Sequence, residues 1–377
     1  MIASTSAVTS PATEREISLH NWLQEQFHDF DIQIDSLPGD ASFRRYHRLC
    51  LTAKAGEQDQ ANTVTEPLRY IVMDAPPEME SIVEFVAVDE LLAPTINVPT
   101  IIAKDMTQGF LVLQDFGTTE FAHLVADAPV EAVDSYYKQA IDTLLALQTI
   151  EPAQAQQQAQ LPDYDAAMLE REMDLFSDWF IPYVGVPFTT AEQQGWQALK
   201  TAIIEQVLTQ PKVIVHRDYH SRNLMQDCAD AERLGVIDFQ DAVIGAYSYD
   251  LSSLLRDAYV DWSAEQIAAW TQYYSDKVGA ANIAAEVSHI TTEQLTYDLM
   301  VMGMQRHLKI LGIFVRLSER DGKARYLADI PKVMRDLVVE LTWLSERSDS
   351  PIAAIATEFK GWLEETVMPA FKQKFAQ

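Results

Sequence analysis

The sequence predicts an α+β protein in two parts, a small strand-rich N-lobe followed by a larger helical C-lobe. Three observations carry this prediction. The 377-residue chain is longer than one ordinary domain, so two lobes are expected. Up to residue 114 short apolar runs alternate with turn-forming residues, whereas after Asp115 apolar positions recur at helical spacing. Hydrophobic residues make up 48% and charged residues 22%, which supports a large core and excludes disorder over most of the length.

The expected boundaries are a disordered tail over 1–13, an N-lobe over 14–115 and a C-lobe over 116–377. The tail is rich in Ser, Thr and Ala, but lacks the basic start and apolar stretch of a signal peptide. Next, Ile17, Leu19, Trp22, Leu23, Phe27 and Phe30 predict a helix over 14–30 with one apolar side. Strands are expected over 32–37, 46–51 and 70–73, with a turn at Pro38, Gly39, Asp40, Ala41 and Ser42 between the first two. The polar stretch 54–67 reads as a loose loop. A helix over 81–92 is closed off by Pro94 and Pro99, and strands over 100–103 and 110–114 follow. In the C-lobe, Val130, Val133, Tyr137, Ile141, Leu144, Leu145 and Leu147 form one apolar helix face. Met168, Leu169, Met173, Phe176 and Phe180 form another, more in keeping with core than with a ligand box. The segment 153–160 contains only Gln and Ala and reads as a surface linker. Short strands over 213–215 and 234–237 interrupt the helices, which then run to Phe375. No internal repeat recurs at a fixed period.

Charge narrows the partners. The chain has 28 Lys+Arg against 56 Asp+Glu, a formal net charge of −28. Such a field repels polyphosphate backbones and anionic lipid surfaces, so neither a nucleic acid nor a membrane is an expected partner. A small neutral or metal-complexed substrate fits better. Cys50 and Cys228, two in all, are too few for a disulfide framework or a multi-thiolate zinc site. No apolar run reaches the ~18 residues of a membrane helix. A soluble, cytoplasmic monomer is expected.

The strongest local signal is the run His216, Arg217, Asp218, Tyr219, His220, Ser221, Arg222, Asn223, placed just after an apolar strand. A second apolar strand ends at Asp238, followed by Phe239, Gln240 and Asp241. Phosphoryl transfer needs a carboxylate to orient and accept the proton of an attacking hydroxyl, and metal ions to neutralise phosphate charge. Asp218 suits the first task, and Asn223 with Asp238 suits the second, since Mg²⁺ takes hard oxygens and keeps several waters. The pattern H-R-D-x-x-x-x-N followed by D-F matches the catalytic loop and metal motif of kinases. His216 and His220 lack an obvious third zinc ligand, which disfavours a metal hydrolase. Two readings of the turn at Gly39 stay open: an ordinary hairpin turn, or a loop whose N–H groups approach phosphates. Backbone groups of Gln114, Asp115, Phe116 and Gly117, a hinge in this reading, would face an adenine edge.

These motifs, with the Gly39-Asp-Ala-Ser turn, resemble the aminoglycoside phosphotransferase and choline kinase-like superfamily, over nearly the whole chain after the tail. The run Asp241, Gly245, Tyr249, Asp250, Leu251 fits the continuation of its metal motif. The resemblance implies a protein-kinase-like two-lobe fold with a small antiparallel-sheet N-lobe and a larger, mainly helical C-lobe. The phrases 39–46, 72–78, 216–225, 238–242 and 305–314 resemble one branch, kinases that phosphorylate the anomeric hydroxyl of N-acetylmuramate and N-acetylglucosamine in peptidoglycan recycling. ATP and Mg²⁺ are the implied cofactors.

Carried over by motif, Asp218 is the base, Asn223 and Asp238 hold the metal, and Asp241 assists a second metal or braces the loop. His216 and Arg217 position that loop. Gly39, Asp40, Ala41, Ser42, Phe43, Arg44, Gln114 and Phe116 are expected at the nucleotide, with Glu84 as the helix acid. One departure stands out: Met73 occupies the strand position where kinases carry a Lys, leaving Arg44, Arg45 or Arg48 as candidate replacements. Arg256, Asp257, Tyr259, Arg306 and His307 are expected near the sugar, or else are ordinary polar residues of helix faces. Arg256 or Arg306 would meet the lactyl carboxylate of N-acetylmuramate. Rival expectations are a kinase of another small alcohol (an aminoglycoside, choline or homoserine) and a non-catalytic nucleotide-binding scaffold.

Overall fold

A computed structural model describes residues 11–38, 43–54, 66–281, 283 and 285–375. The chain forms two compact units. The described residues up to Ala87 together with Val98–Gly117 make one, and Val88–Asn97 with the described residues from Thr118 onward make the other.

The first unit begins with α1 (Pro11–Gln26), whose Leu19, Trp22 and Leu23 follow the i, i+3, i+4 rule and are buried. A turn at Phe27–Asp29 leads into β1 (Phe30–Ser36), and then come β2 (Arg45–Ala53), β3 (Leu68–Asp74), α2 (Val83–Leu92, counted with the second unit from Val88 on), β4 (Ile101–Asp105) and β5 (Phe110–Gln114). The five strands form one antiparallel sheet in the order β1-β2-β3-β5-β4. Register sets Ile32 against Leu51 and Ile34 against Leu49, so alternate residues share a face. Leu49, Leu51, Val72, Phe110 and Val112 pack there with the stripe of α1. Arg15 of α1 pairs with Asp74 at 2.6 Å and stacks over the Phe110 ring.

The second unit contains α3 (Phe121–Ala126), α4 (Val130–Gln148), α5 (Pro152–Ala159) and α6 (Ala166–Leu175). A π-helical turn at Phe176–Phe180 runs into α7 (Ile181–Val184), followed by α8 (Thr190–Leu208). Next are β6 (Lys212–Val215), β7 (Leu224–Gln226), β8 (Leu234–Val236) and β9 (Val243–Ala246). The remainder is helical: α9 (Ser248–Leu255), α10 (Ala264–Val278), α11 (Ala285–Ser288), α12 (Thr292–Glu319), a 3₁₀ turn Ala324–Asp329, α13 (Ile330–Ser345), α14 (Ala353–Trp362), a π turn Leu363–Val367 and α15 (Met368–Phe375). Helix α12 is the long buried member and packs against α6, α9 and α13. Gly312 lets it meet the end of α6, because a Cβ there would collide with the Leu175 carbonyl.

Several local expectations are corrected. Helix α1 starts at Pro11, so Pro11–Thr13 belong to it, while residues 1–10 lie outside the described ones. Phe30 opens a strand, and Ile17 is 51% exposed because it falls off the 19/22/23 stripe. Residues 153–160 are helix rather than linker up to Ala159: Pro152 fits the first helical turn, Ala and Gln are strong helix formers, and Ala155 is buried. Val130 is 69% exposed, whereas the rest of the α4 stripe is buried. Strands β7 and β9, 3 and 4 residues long, escaped the sequence reading because each follows directly on a loop with no boundary between them. Of the expected loop over 54–67, residues 55–65 lie outside the described ones, as do Gly39, Asp40, Ala41 and Ser42.

Candidate active site

Strand pairing builds the site. Strand β6 pairs with β9 and β7 with β8, so the four strands form a nested hairpin. Its two interruptions, 216–223 after β6 and 237–242 after β8, are therefore brought opposite each other. The Ile237 N–H donates to the Asn223 carbonyl at 3.0 Å, and the His216 ring bonds the Ile237 carbonyl through Nε2 at 3.0 Å. Residues far apart in sequence thus share one edge.

The loop 216–223 is tied down along its length. Buried Asp250 of α9 accepts the N–H groups of His216 at 2.6 Å and Arg217 at 3.1 Å. Asp257 accepts the Ser221 N–H at 2.8 Å, and the Tyr219 hydroxyl donates to the Ala140 carbonyl at 2.8 Å. Arg222 stacks on Tyr259, its guanidinium carbon 3.5 Å from the ring centre. Such bracing has a reason. Arg217 and Asp238 have φ of 75° and 67°, a left-handed backbone that costs a side-chain-bearing residue about 1–3 kcal/mol and persists only where surroundings impose it.

Within this frame Asp218, Asn223 and Asp238 come together. Asn223 Nδ2 donates to the Asp218 carbonyl at 3.0 Å and to Asp238 Oδ2 at 3.4 Å. Asp218 is half-buried. Burial opposes its charge, but Lys309, then His220, His216 and Arg217, hold its carboxyl below the usual range. Burial drives the pKa of His216 down to about 4, so at neutral pH it is an uncharged hydrogen-bonding brace. Protein packed around Asp238, and then the charge of Asp218, raises the Asp238 pKa, although its carboxylate still reaches solvent. A divalent cation would relieve that repulsion, and the Asn223 amide oxygen with the Asp238 carboxylate is a hard-oxygen donor set. Among the described residues no three His, Cys, Asp or Glu side chains gather to hold a metal by themselves. A Mg²⁺ ion here would complete its shell with water or phosphate oxygens. Asp241 is exposed, and its carbonyl accepts from Arg217 Nη1 at 3.3 Å.

The sequence pattern of the phosphotransferase enzyme family matches residues 33–285, about two thirds of the chain. The chain belongs to that family. Relatives named N-acetylmuramate/N-acetylglucosamine kinase, from Pseudomonas putida and Neisseria meningitidis, are 39% and 36% identical to it. Those alignments cover 82% and 86% of this chain and 87% and 90% of the relatives. An ethanolamine kinase of Plasmodium vivax shares the fold, with a TM-score of 0.55 at 12% identity over 89% of this chain and 91% of its own. This phosphotransferase is thus a kinase with an alcohol acceptor, on a kinase-like fold.

The other expected residues of the phosphotransferase are placed as follows. In the first unit Arg44 pairs with Glu80 at 3.3 Å, and the Phe43 N–H donates to the same carboxylate. Glu84, in the first turn of α2, has its pKa lowered mainly by the Ser81 hydroxyl, with a smaller share from Arg44. Met73 is fully buried, and Arg48 forks onto Asp115, with 2.7 and 3.3 Å bonds, and onto the Gly117 carbonyl. Gln114 accepts from the Thr100 hydroxyl, and Phe116 is buried. In the second unit Arg256 and His307 converge on buried Glu340, at 3.4 and 2.9 Å. Asp257 and Tyr259 contact the loop through the Ser221 N–H and the Arg222 guanidinium, and Arg306 lies over the Tyr249 ring.

Three residues of this phosphotransferase were missed as individual sites: Asp250, Glu172 and Lys309. Lys309 Nζ bonds Glu172 Oε1 at 3.0 Å and the Tyr249 hydroxyl at 3.2 Å. The sequence did carry a signal, since Glu172 falls on the apolar stripe of Leu169, Met173 and Phe176. A charge at such a position is buried and must have partners.

Proposed function

We propose that this kinase transfers the γ-phosphoryl group of ATP to the anomeric hydroxyl of N-acetylmuramate and N-acetylglucosamine, giving the sugar 1-phosphates for peptidoglycan recycling. The observation that carries the acceptor is identity of 39% and 36%, over 82% and 86% of the chain, to relatives bearing those sugars in their names. The meeting of Asp218, Asn223 and Asp238 supports the reaction type.

On this reading Asp218 orients the sugar hydroxyl and takes its proton as attack proceeds in line. Its lowered pKa keeps it ionised for that task. Asn223 and Asp238 would hold Mg²⁺, which when bound neutralises phosphate charge. Residues 14–115 would carry the nucleotide-binding part, with Arg44 as the cation in place of the strand Lys and Glu80 as its anchor. Residues 116–377 would carry the catalytic and sugar-binding part. Arg306 is the cation assigned to the lactyl carboxylate, because its buried Nε and Nη1 have no hydrogen-bond partner among the described residues. Arg256, Asp257 and His307 are engaged with protein groups and are read as supports. Among the described residues no helix is long and apolar enough to cross a membrane.

The test is ADP release with Mg·ATP over N-acetylmuramate, N-acetylglucosamine, glucose, choline and kanamycin, with NMR of any sugar product. A 1-phosphate on the two amino sugars is expected. Turnover of choline or kanamycin alone would overturn the acceptor and leave the reaction type standing.

A further inference from the structure

Glu172 of α6 is the hub of a buried polar cluster that reaches the catalytic loop. Its Oε1 accepts from Arg217 Nη2 at 2.6 Å and from Lys309 Nζ at 3.0 Å. Its Oε2 accepts from the Tyr164 hydroxyl and from Gln305 Nε2, the latter at 3.3 Å. The side chain is only 9% exposed, and burial works against its charge, yet Lys309 and Arg217 hold its pKa at about 2. One ionised carboxylate therefore carries two cations inside the fold.

Each cation leads toward the base. Arg217 is the residue immediately before Asp218, and its backbone is in the left-handed region with φ 75°. Its N–H is gripped by Asp250, while its guanidinium is held by Glu172 at 2.6 Å and more loosely by the Asp241 carbonyl at 3.3 Å. Without the second grip the loop could relax, rotating the next peptide and the Asp218 side chain with it. Lys309 comes from α12, and its positive charge favours the ionised form of Asp218. The structure assigns Glu172 as a positioning residue for phosphoryl transfer: holding Arg217 and Lys309 on one oxygen, it fixes the loop that presents Asp218 to the acceptor. This rests on the reading of Asp218 as the base.

The two oxygens of Glu172 allow a clean test. Glu172→Gln keeps shape and removes the charge that holds Arg217 and Lys309. Tyr164→Phe removes a bond to the other oxygen, leaving those two cations in place. In the full-length enzyme with Mg·ATP and N-acetylglucosamine, Glu172→Gln is expected to lower kcat about 10- to 100-fold, with both KM values within about threefold. Tyr164→Phe is expected to lower the melting temperature while kcat stays within about threefold of wild type. Wild-type kcat in Glu172→Gln would overturn the assignment. So would unchanged kcat with raised acceptor KM, which marks a substrate ligand, or kcat losses that track melting temperature in both variants, which mark plain support. Asp218→Asn, run alongside, separates the two levels. An active Asp218→Asn enzyme removes the base and this assignment together, whereas an inactive one beside a normal Glu172→Gln removes this assignment alone.

Discussion

Two buried carboxylates, Glu340 and Glu172, each gather polar side chains of α12, but their networks end in different places. Glu340 on α13 bonds His307 Nδ1 at 2.9 Å and faces Arg256 at 3.4 Å, while His307 Nε2 bonds the Arg256 carbonyl at 3.2 Å. Those groups lie on α12, on α13 or at the end of α9. Glu172 also holds α12, through Lys309 and Gln305, but its other cation is Arg217 of the loop 216–223. Burial and pairing are common to both, so neither marks function by itself. The far end of the network decides what a buried carboxylate does.

The largest test of this contrast is Glu340→Ala. Removing the carboxylate leaves Arg256 and His307 buried without it, and unfolding by denaturant should show a loss of about 3–5 kcal/mol. Turnover per folded molecule should stay near wild type. A kcat loss exceeding the loss of folded protein would break the distinction between the two clusters.

The second test uses pH on the loop that the Glu172 cluster serves. Burial lowers the His216 pKa from 6.5 to about 4, so the fold favours the neutral ring. Its contribution is complete above the unfolded pKa and is lost as pH falls toward the folded one. The shift corresponds to about 3 kcal/mol, lost progressively between roughly pH 6.5 and pH 4. Melting temperature should therefore fall more steeply over that window in the wild type than in His216→Gln. Parallel curves for the two proteins would contradict a buried neutral imidazole.

The smallest expected effect is that of Gly312→Ala. A Cβ at Gly312 would strike the Leu175 carbonyl and push α12 away from α6, the helix that carries Glu172. Overpacking of this kind costs about 1–3 kcal/mol. Because α12 presents Lys309 and Gln305 to Glu172, kcat should fall further than in Glu340→Ala despite the smaller stability loss. Equal kcat in the two variants would argue that both clusters are support.

How much of this was legible depends on how far apart the cooperating residues lie. The loop from His216 to Asn223 and the later Asp238 could be read directly, because each lies at the end of a short apolar run and their types suit phosphoryl transfer. The strands of the five-stranded sheet could also be read, since alternation and turn residues are local signals. Residues 153–159 were misread because composition hid a helix whose buried contact is a single Ala155. Strands β7 and β9 are no shorter than β8 and β6, which were read; they follow directly on the loops 216–223 and 237–242, so no boundary marks them off. His307 and Arg256 looked like ligand residues because their types suit a sugar, and only the structure turned them toward Glu340.

By itself the sequence indicated the class of fold and singled out Asp218, Asn223 and Asp238, each read from a local motif that follows a short apolar run. Tertiary structure alone decided which charges reach the loop and which pair between helices. Glu172, Arg217 and Lys309 are separated by 45 and 92 residues, and their meeting depends on α6, α12 and a nested hairpin packing together. A charge in an apolar stripe announces that it will be buried with a partner, but the partner is chosen by long-range packing, which no local spacing records.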